Sequence, residues 1–208
     1  MRMLVALLLT LAVAAPAASQ TTLGVRGGVN IASLSGDASE LDSRTALNVG
    51  ATAHFPLSEN LGLLVGGFYS QKGGSESEDG VTATFELDYI EFPVLLRYDF
   101  PSAGSASFHV AAGPAVGFEI GCAVSASGQG QSASFDCDQF GEVGLETSSF
   151  DFGLVGGAGV DFQASEGLIV TLDAMYNLGL ANIDDSGGDA SNRTIMLQAG
   201  VAFPVGGS

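Results

Sequence analysis

Phe150-Asp-Phe-Gly-Leu-Val-Gly-Gly-Ala-Gly-Val-Asp-Phe162 is the stretch that decides the fold. Its even positions are Phe150, Phe152, Leu154, Gly156, Ala158, Val160 and Phe162. Its odd positions are Asp151, Gly153, Val155, Gly157, Gly159 and Asp161. Successive side chains of a strand point to opposite faces. One face is therefore apolar, with phenylalanine at both ends, and the other is mostly glycine flanked by carboxylates. A soluble barrel of the lipocalin type would turn the apolar face inward and leave glycine and aspartate as its exterior, which fits poorly. A barrel standing in lipid reverses the faces and fits the pattern.

Seven further segments alternate with the same period: residues 22–31, 45–55, 61–71, 82–99, 107–118, 168–180 and 193–203. Segment 61–71 alternates weakly, and its faces stay open. The connections fall into two classes. Residues 56–60, 100–106 and 163–167 are short; residues 32–44, 72–81, 120–149 and 181–192 are mostly longer and rich in Gly, Ser and Asp. Short turns on one side and long loops on the other is the arrangement of an outer-membrane barrel, with the turns periplasmic. Aromatics gather at both strand ends: Phe55, Tyr98, Phe108, Phe162 and Phe203 at the turn end, Tyr69, Phe118, Phe150, Phe152 and Tyr176 at the loop end. Two such belts mark the two interfaces of a membrane. Pro93 and Pro114 each remove a ladder hydrogen bond inside a strand, so a bulge is expected at each.

The start of the chain names the compartment. Arg2 precedes an apolar run over residues 3–15, followed by Ala15-Pro-Ala-Ala-Ser19. This order reads as a secretory signal peptide over 1–19, too short to span a bilayer. A cut before Gln20 and a cut after Ala17 both suit the small residues. Residues 20–208 then form one barrel domain. No later stretch reads as a transmembrane helix, and no cysteine at the junction marks a lipoprotein.

Charge narrows the partners. The chain carries 23 acidic and six basic residues, for a formal net charge of −17. So acidic a protein is unsuited to nucleic acid or to docking on anionic lipid. It suits cations or a saline habitat. The four long connections hold more than half of the carboxylates. Asp136, Asp138, Asp184 and Asp185 are the candidate acidic mouth, with divalent cations as candidate loop partners.

The inward phase collects Arg26, Glu91, Arg97, Asp151, Asp161 and Asp173, with Asn30, Asn48, Thr52, Asn177 and Gln198. Buried charges must pair or reach water. Arg97 is expected to pair with Glu91 or a facing Asp, and Arg26 with another carboxylate. An eight-stranded interior is just wide enough for side chains to fill. A structural polar core is the first reading, and a narrow cation path the second. His54 and His109, the only histidines, also lie inward near the turn end. No metal or nucleophile cluster is legible around them, so catalytic, cofactor and metal residues are none, and both are read as satisfied interior histidines. Cys122 and Cys137, the only cysteines, share the longest loop of an exported chain and are expected to form a disulfide. The rival is two free thiols binding metal with Asp136 and Asp138.

Gly24-Val-Arg-Gly-Gly-Val-Asn-Ile31, Tyr69-Ser-Gln-Lys-Gly-Gly74, Tyr89-Ile-Glu-Phe-Pro-Val-Leu-Leu-Arg-Tyr-Asp-Phe100, Ala111-Ala-Gly-Pro114 and Tyr176-Asn-Leu-Gly-Leu180 resemble the outer membrane protein beta-barrel domain. This is the "porin family" or PorT-like group common in Bacteroidetes and relatives. The Tyr-x-Glu-x-Pro and Gly-Pro motifs are its most specific parts. The resemblance implies an all-β, eight-stranded antiparallel up-and-down transmembrane β-barrel of OmpA/OmpX-like size, in the outer membrane of a diderm bacterium. It carries no catalytic residues. The chain departs from such barrels in running past its last aromatic, as Phe203-Pro-Val-Gly-Gly-Ser208. The expected function is a structural or interaction barrel with acidic extracellular loops and no catalysis. The alternative is a narrow cation-preferring pore for ions or small hydrophilic solutes. A lipid-acting enzyme lacks its nucleophile geometry. The expected partners are outer-membrane lipid and the barrel insertion machinery, with the protein a monomer.

Overall fold

The computed structural model describes residues 20–128, 130–140, 147–185 and 187–205. The leader read over 1–19 lies outside the described residues. Among the described residues nine strands run in chain order: β1 (Thr21–Gly36), β2 (Asp42–Pro56), β3 (Leu61–Glu78), β4 (Val81–Asp99), β5 (Ala106–Gly128), β6 (Gln131–Asp136), β7 (Phe150–Ser165), β8 (Leu168–Gly179) and β9 (Ala190–Val205). Eight of them close a ring of antiparallel neighbours. β1 pairs with β9 through Val25↔Val201, and β4 with β5 through Phe92↔Val116. Closure leaves the ring no free edge. β6 stands outside the ring and pairs with the upper part of β5. Among the described residues no helix is long and apolar enough to cross a membrane; the crossing is made by strands.

The faces follow the sequence period. Leu23, Val25 and Val29 are exposed on β1 while Arg26 and Asn30 are buried. Leu154 is exposed on β7 while Asp151 and Val155 are buried. Both aromatic belts form, and Phe118 packs edge-on against Phe92 and Phe150 at centroid distances of 6.3 and 5.8 Å. β3 now has its faces: Leu64, Phe68, Ser70 and Lys72 are buried inside, while Leu63, Val65 and Tyr69 lie on the other face and are only partly covered. Its alternation is weak because its inward residues are themselves apolar. Leu64 joins Leu95, Ala111, Ala115, Val155, Met175 and Met196 in an apolar layer across the barrel.

Two expectations are corrected. Residues 72–81 are not a loop. β3 and β4 continue as a ladder to Glu78↔Val81, and the turn is Asp79-Gly80, with φ of 51° and 77°. Positive φ at both central residues is the signature of a tight hairpin turn matched to strand twist. β5 likewise runs on to Gly128. Beyond the lipid a strand needs no apolar face, so loss of alternation there marked the membrane boundary rather than the strand end. The expected bulges at Pro93 and Pro114 are also absent. Pairing lapses around both prolines, but the β4–β5 register runs unshifted from Pro93↔Ala115 to Leu96↔Ala112. The irregularity lies higher, where Asp88 faces Gly121 and Tyr89 faces Glu119, leaving Ile120 as the extra residue.

Candidate functional site

The lumen is built in layers. At the loop end Lys72 Nζ lies 2.7 Å from Glu91 Oε1 and 3.1 Å from Asp151 Oδ2. Asn177 Nδ2 donates to Glu91 Oε1 at 3.2 Å, and Asn192 Nδ2 to Asp151 Oδ2 at 2.9 Å. The ammonium also sits 5.1 Å from the Tyr89 ring centroid, within cation–π range. Asn30 Nδ2 donates to Ser70 Oγ at 2.9 Å, and Gln198 Nε2 to Asn48 Oδ1. These bonds tie β1, β2, β3, β4, β7, β8 and β9 across the interior.

At the turn end Arg26 Nη1 lies 2.8 Å from Asp173 Oδ2. Arg97 bonds Asp99, with Nε 2.9 Å from Oδ1, and also bonds Asp161. Asp173 further accepts from Thr171 Oγ1 at 3.1 Å, and its Oδ1 lies 2.8 Å from His109 Nε2. His54 Nε2 is 4.0 Å from Asp99 Oδ2. Between the two polar layers lies the apolar one, bordered by a cavity of about 40 Å³. A larger space of about 230 Å³ opens at the turn end, lined in part by His54, Arg97, Asp99 and Asp161.

All six inward charges read from the sequence face the lumen, where Arg97 meets Asp161 and Arg26 meets Asp173. Arg97 does not pair with Glu91: β4 puts the two at opposite ends of the barrel. Glu91 is neutralised by Lys72, which stands on β3 and not in a loop. The two histidines are not both satisfied either. His54 Nε2 and His109 Nδ1 are buried with no hydrogen-bond partner. Asp99, read only as a strand end, completes a group with His109 and Asp161 whose ligand atoms all lie within 4.8 Å of one another.

Above the membrane Cys122 and Cys137 are joined, with Cα atoms 5.4 Å apart, and among the described residues no cysteine is free. The free-thiol reading is thereby overturned. The bond closes the base of the β5–β6 hairpin beside Ala123↔Asp136. Asp136 and Asp185 are exposed and Asp184 is half-buried. Asp138 lies in a single 3-10 turn after β6, and its side chain lies outside the described part. The crown encloses an apolar cup of about 360 Å³, walled by Leu34, Leu41, Phe85 and Ile183 and flanked by Glu76 and Asp184. Of the five basic residues after Gln20, three (Arg26, Lys72 and Arg97) are buried in the lumen. Only Arg44, paired with Glu86 at 3.4 Å, and exposed Arg193 stand against the carboxylates of the crown.

A closed ring of eight antiparallel strands, apolar outside and ionic inside, between two aromatic belts, is an outer-membrane β-barrel. The chain belongs to the outer membrane protein beta-barrel domain family, whose profile matches residues 17–185, and it resides in the outer membrane. Its fold is similar to that of Neisserial surface protein A, with a TM-score of 0.56 and 14% identity over 90% of this chain and 98% of that one. It is also similar to the outer membrane protein OprG from Pseudomonas aeruginosa, with a TM-score of 0.50 and 13% identity over 89% of this chain and 97% of that one. No curated protein matches the chain.

Proposed function

We propose that this protein is a closed membrane anchor that displays an acidic, disulfide-clamped crown outside the cell and catalyses no reaction. The observation that carries this reading is the filled lumen. Two ion-pair layers and one apolar layer stand in series across it, and the cavity beside the apolar layer, about 40 Å³, holds a few waters at most. Removing water from an ion pair that spans several strands is costly, and breaking one is costlier. The lumen therefore serves to rigidify the wall, and what is left to act is the crown. Glu76, Glu78, Asp79, Asp136, Asp185 and Asp189 are exposed there and create a field that gathers cations, most strongly at low salt. Divalent cations and basic partner surfaces are the class of ligand that such a crown takes. Liposomes carrying the purified barrel test the reading: they should not swell in an isosmotic solution of a small sugar or amino acid, and rapid swelling would contradict it.

A narrow cation-preferring path is the second reading. It draws support from the cavities of about 230 and 360 Å³ at the two ends, one flanked by the crown carboxylates.

A further inference from the structure

We propose that the periplasmic end of the lumen is a binding site for a divalent transition metal of the zinc class, held by His109 Nδ1, Asp161, Asp99 and His54 Nε2. Four observations meet there. First, His109 is only 1% exposed, and its Nδ1 has no hydrogen-bond partner. Its other nitrogen faces Asp173 Oδ1 at 2.8 Å. Asp173 also accepts from Arg26 and Thr171, so it is an acceptor and His109 Nε2 carries the proton. Nδ1 is then a lone pair buried with nothing to receive it. A carboxylate that holds one imidazole nitrogen so that the other meets a metal is the usual outer support of a histidine ligand.

Second, oxygen ligands lie near this nitrogen. His109 Nδ1 is 3.8 Å from Asp161 Oδ2, and Asp99 belongs to the same group within 4.8 Å. His54 Nε2, the other orphan, is 4.0 Å from Asp99 Oδ2. Ligands at about 2.0–2.2 Å from one ion in tetrahedral geometry stand about 3.3 Å apart. Closing the Asp99, His109 and Asp161 set takes side-chain shifts of about 1 Å, and His54, which stands outside that mutual 4.8 Å group, must swing further to become the fourth ligand. Arg97 bonds Asp99 through Oδ1 and Asp161 through Oδ2, which leaves Asp99 Oδ2 and the second oxygen of Asp161 for the ion.

Third, the charges do not balance without a cation. Asp99, Asp161 and Asp173 face Arg26 and Arg97, one carboxylate more than there are guanidiniums. Buried charge of one sign calls for a counter-ion.

Fourth, glycine clears the space for both rings. A Cβ at residue 62 would lie 2.0 Å from His54 Nε2, and one at residue 159 would lie 2.5 Å from His109 Nε2 and from Asp173 Oδ1. The cavity of about 230 Å³ beside His54, Asp99 and Asp161 gives access from the turn end, opposite the crown. Two imidazoles with two carboxylates favour zinc, cobalt or nickel over calcium or magnesium, which take oxygen ligands alone.

The rival occupant is a proton on His109, which would donate from Nδ1 to Asp161 and balance the charge by itself. The test is cobalt(II) added to the whole barrel in detergent, read by visible absorption and by equilibrium dialysis. One cobalt per barrel, with the strong visible band of four- or five-coordinate nitrogen and oxygen ligation, is expected. One equivalent of zinc should bleach it, and excess calcium should not. His109→Gln should lower the affinity at least tenfold, whereas neutralising Asp136, Asp184 and Asp185 of the crown together should leave it unchanged. A pale six-coordinate spectrum, or a band that survives the His54→Gln, His109→Gln double variant, would overturn the proposal and leave the proton as the counter-charge. Should that variant not fold, nitrogen-15 NMR of the wild-type histidines decides: zinc must move both imidazoles, and unmoved resonances refute the site.

Discussion

Lys72 Nζ lies 2.7 Å from Oε1 of Glu91 on the adjacent strand, with the lysine 1% exposed. It is the only lysine of the chain, and it also holds Asp151 from across the barrel at 3.1 Å. Two buried carboxylates thus share one ammonium. Removing it leaves two carboxylates without a cation. Lys72→Met is expected to lower stability by about 3–5 kcal/mol, the range for breaking a buried pair on one side. The triple change that adds Glu91→Gln and Asp151→Asn should recover most of that loss. Urea unfolding in lipid vesicles measures both. A wild-type midpoint for Lys72→Met would show that the ion triad does not brace the wall.

The outer face makes a separate prediction. Leu197 is 44% exposed and is paired with Val29 and Ala174, all on the apolar band. Leu197→Arg should cost about 2–4 kcal/mol, as for a cation near the bilayer midplane. Leu197→Ile should be near neutral. Unfolding in vesicles reads both, and an unchanged midpoint for the arginine variant would place this face out of lipid.

Cys122–Cys137 clamps the hairpin at a sequence separation of 15. Cross-links of that span stabilise by about 3 kcal/mol in the chain-entropy account. Because the bond lies in the crown, its loss should loosen the β5–β6 hairpin and leave the barrel closed. Cys122→Ser with Cys137→Ser is expected to keep heat-modifiable migration on a gel while protease cuts the crown faster. A non-reduced digest of the wild type should yield the linked peptides, and labelling of both thiols in the native protein would contradict the bond.

Much of the wall was readable from residue parity, and little of the lumen's wiring was. The alternation in residues 150–162 assigns β7 its faces directly, and the same rule places Arg26, Glu91, Arg97 and Asp173 inside. Parity says which side chains enter the lumen but not which ones meet there. That depends on the stagger between strands, which no single strand records. Of the two kinds of partner open to Arg97 it meets the aspartates, Asp99 and Asp161, and Glu91 is met by Lys72. Lys72 escaped because the outward apolar residues end just before it, so its strand seemed to stop. The signal that could have found it is the inward parity of Leu64, Phe68 and Ser70, extended one step to the sole lysine. Asp99 ends its strand, yet it lies two residues from Arg97 on the same face, so its inward side is legible from parity alone. His109 was rightly placed inside; its orphaned nitrogen becomes visible only once Asp173 on β8 is brought to its other side.

Single-channel recording in planar bilayers tests the closed lumen most directly. The wild-type barrel should be silent at neutral pH. Arg97→Ser breaks the turn-end layer at Asp99 and Asp161 but leaves the apolar layer and the Lys72 triad, so it should give at most small, brief openings. Any such current should prefer cations, and should lose that preference when Asp136, Asp184 and Asp185 are changed to Asn, most clearly at low salt. Sustained, resolved conductance steps from the wild type would contradict the account and make this protein a pore.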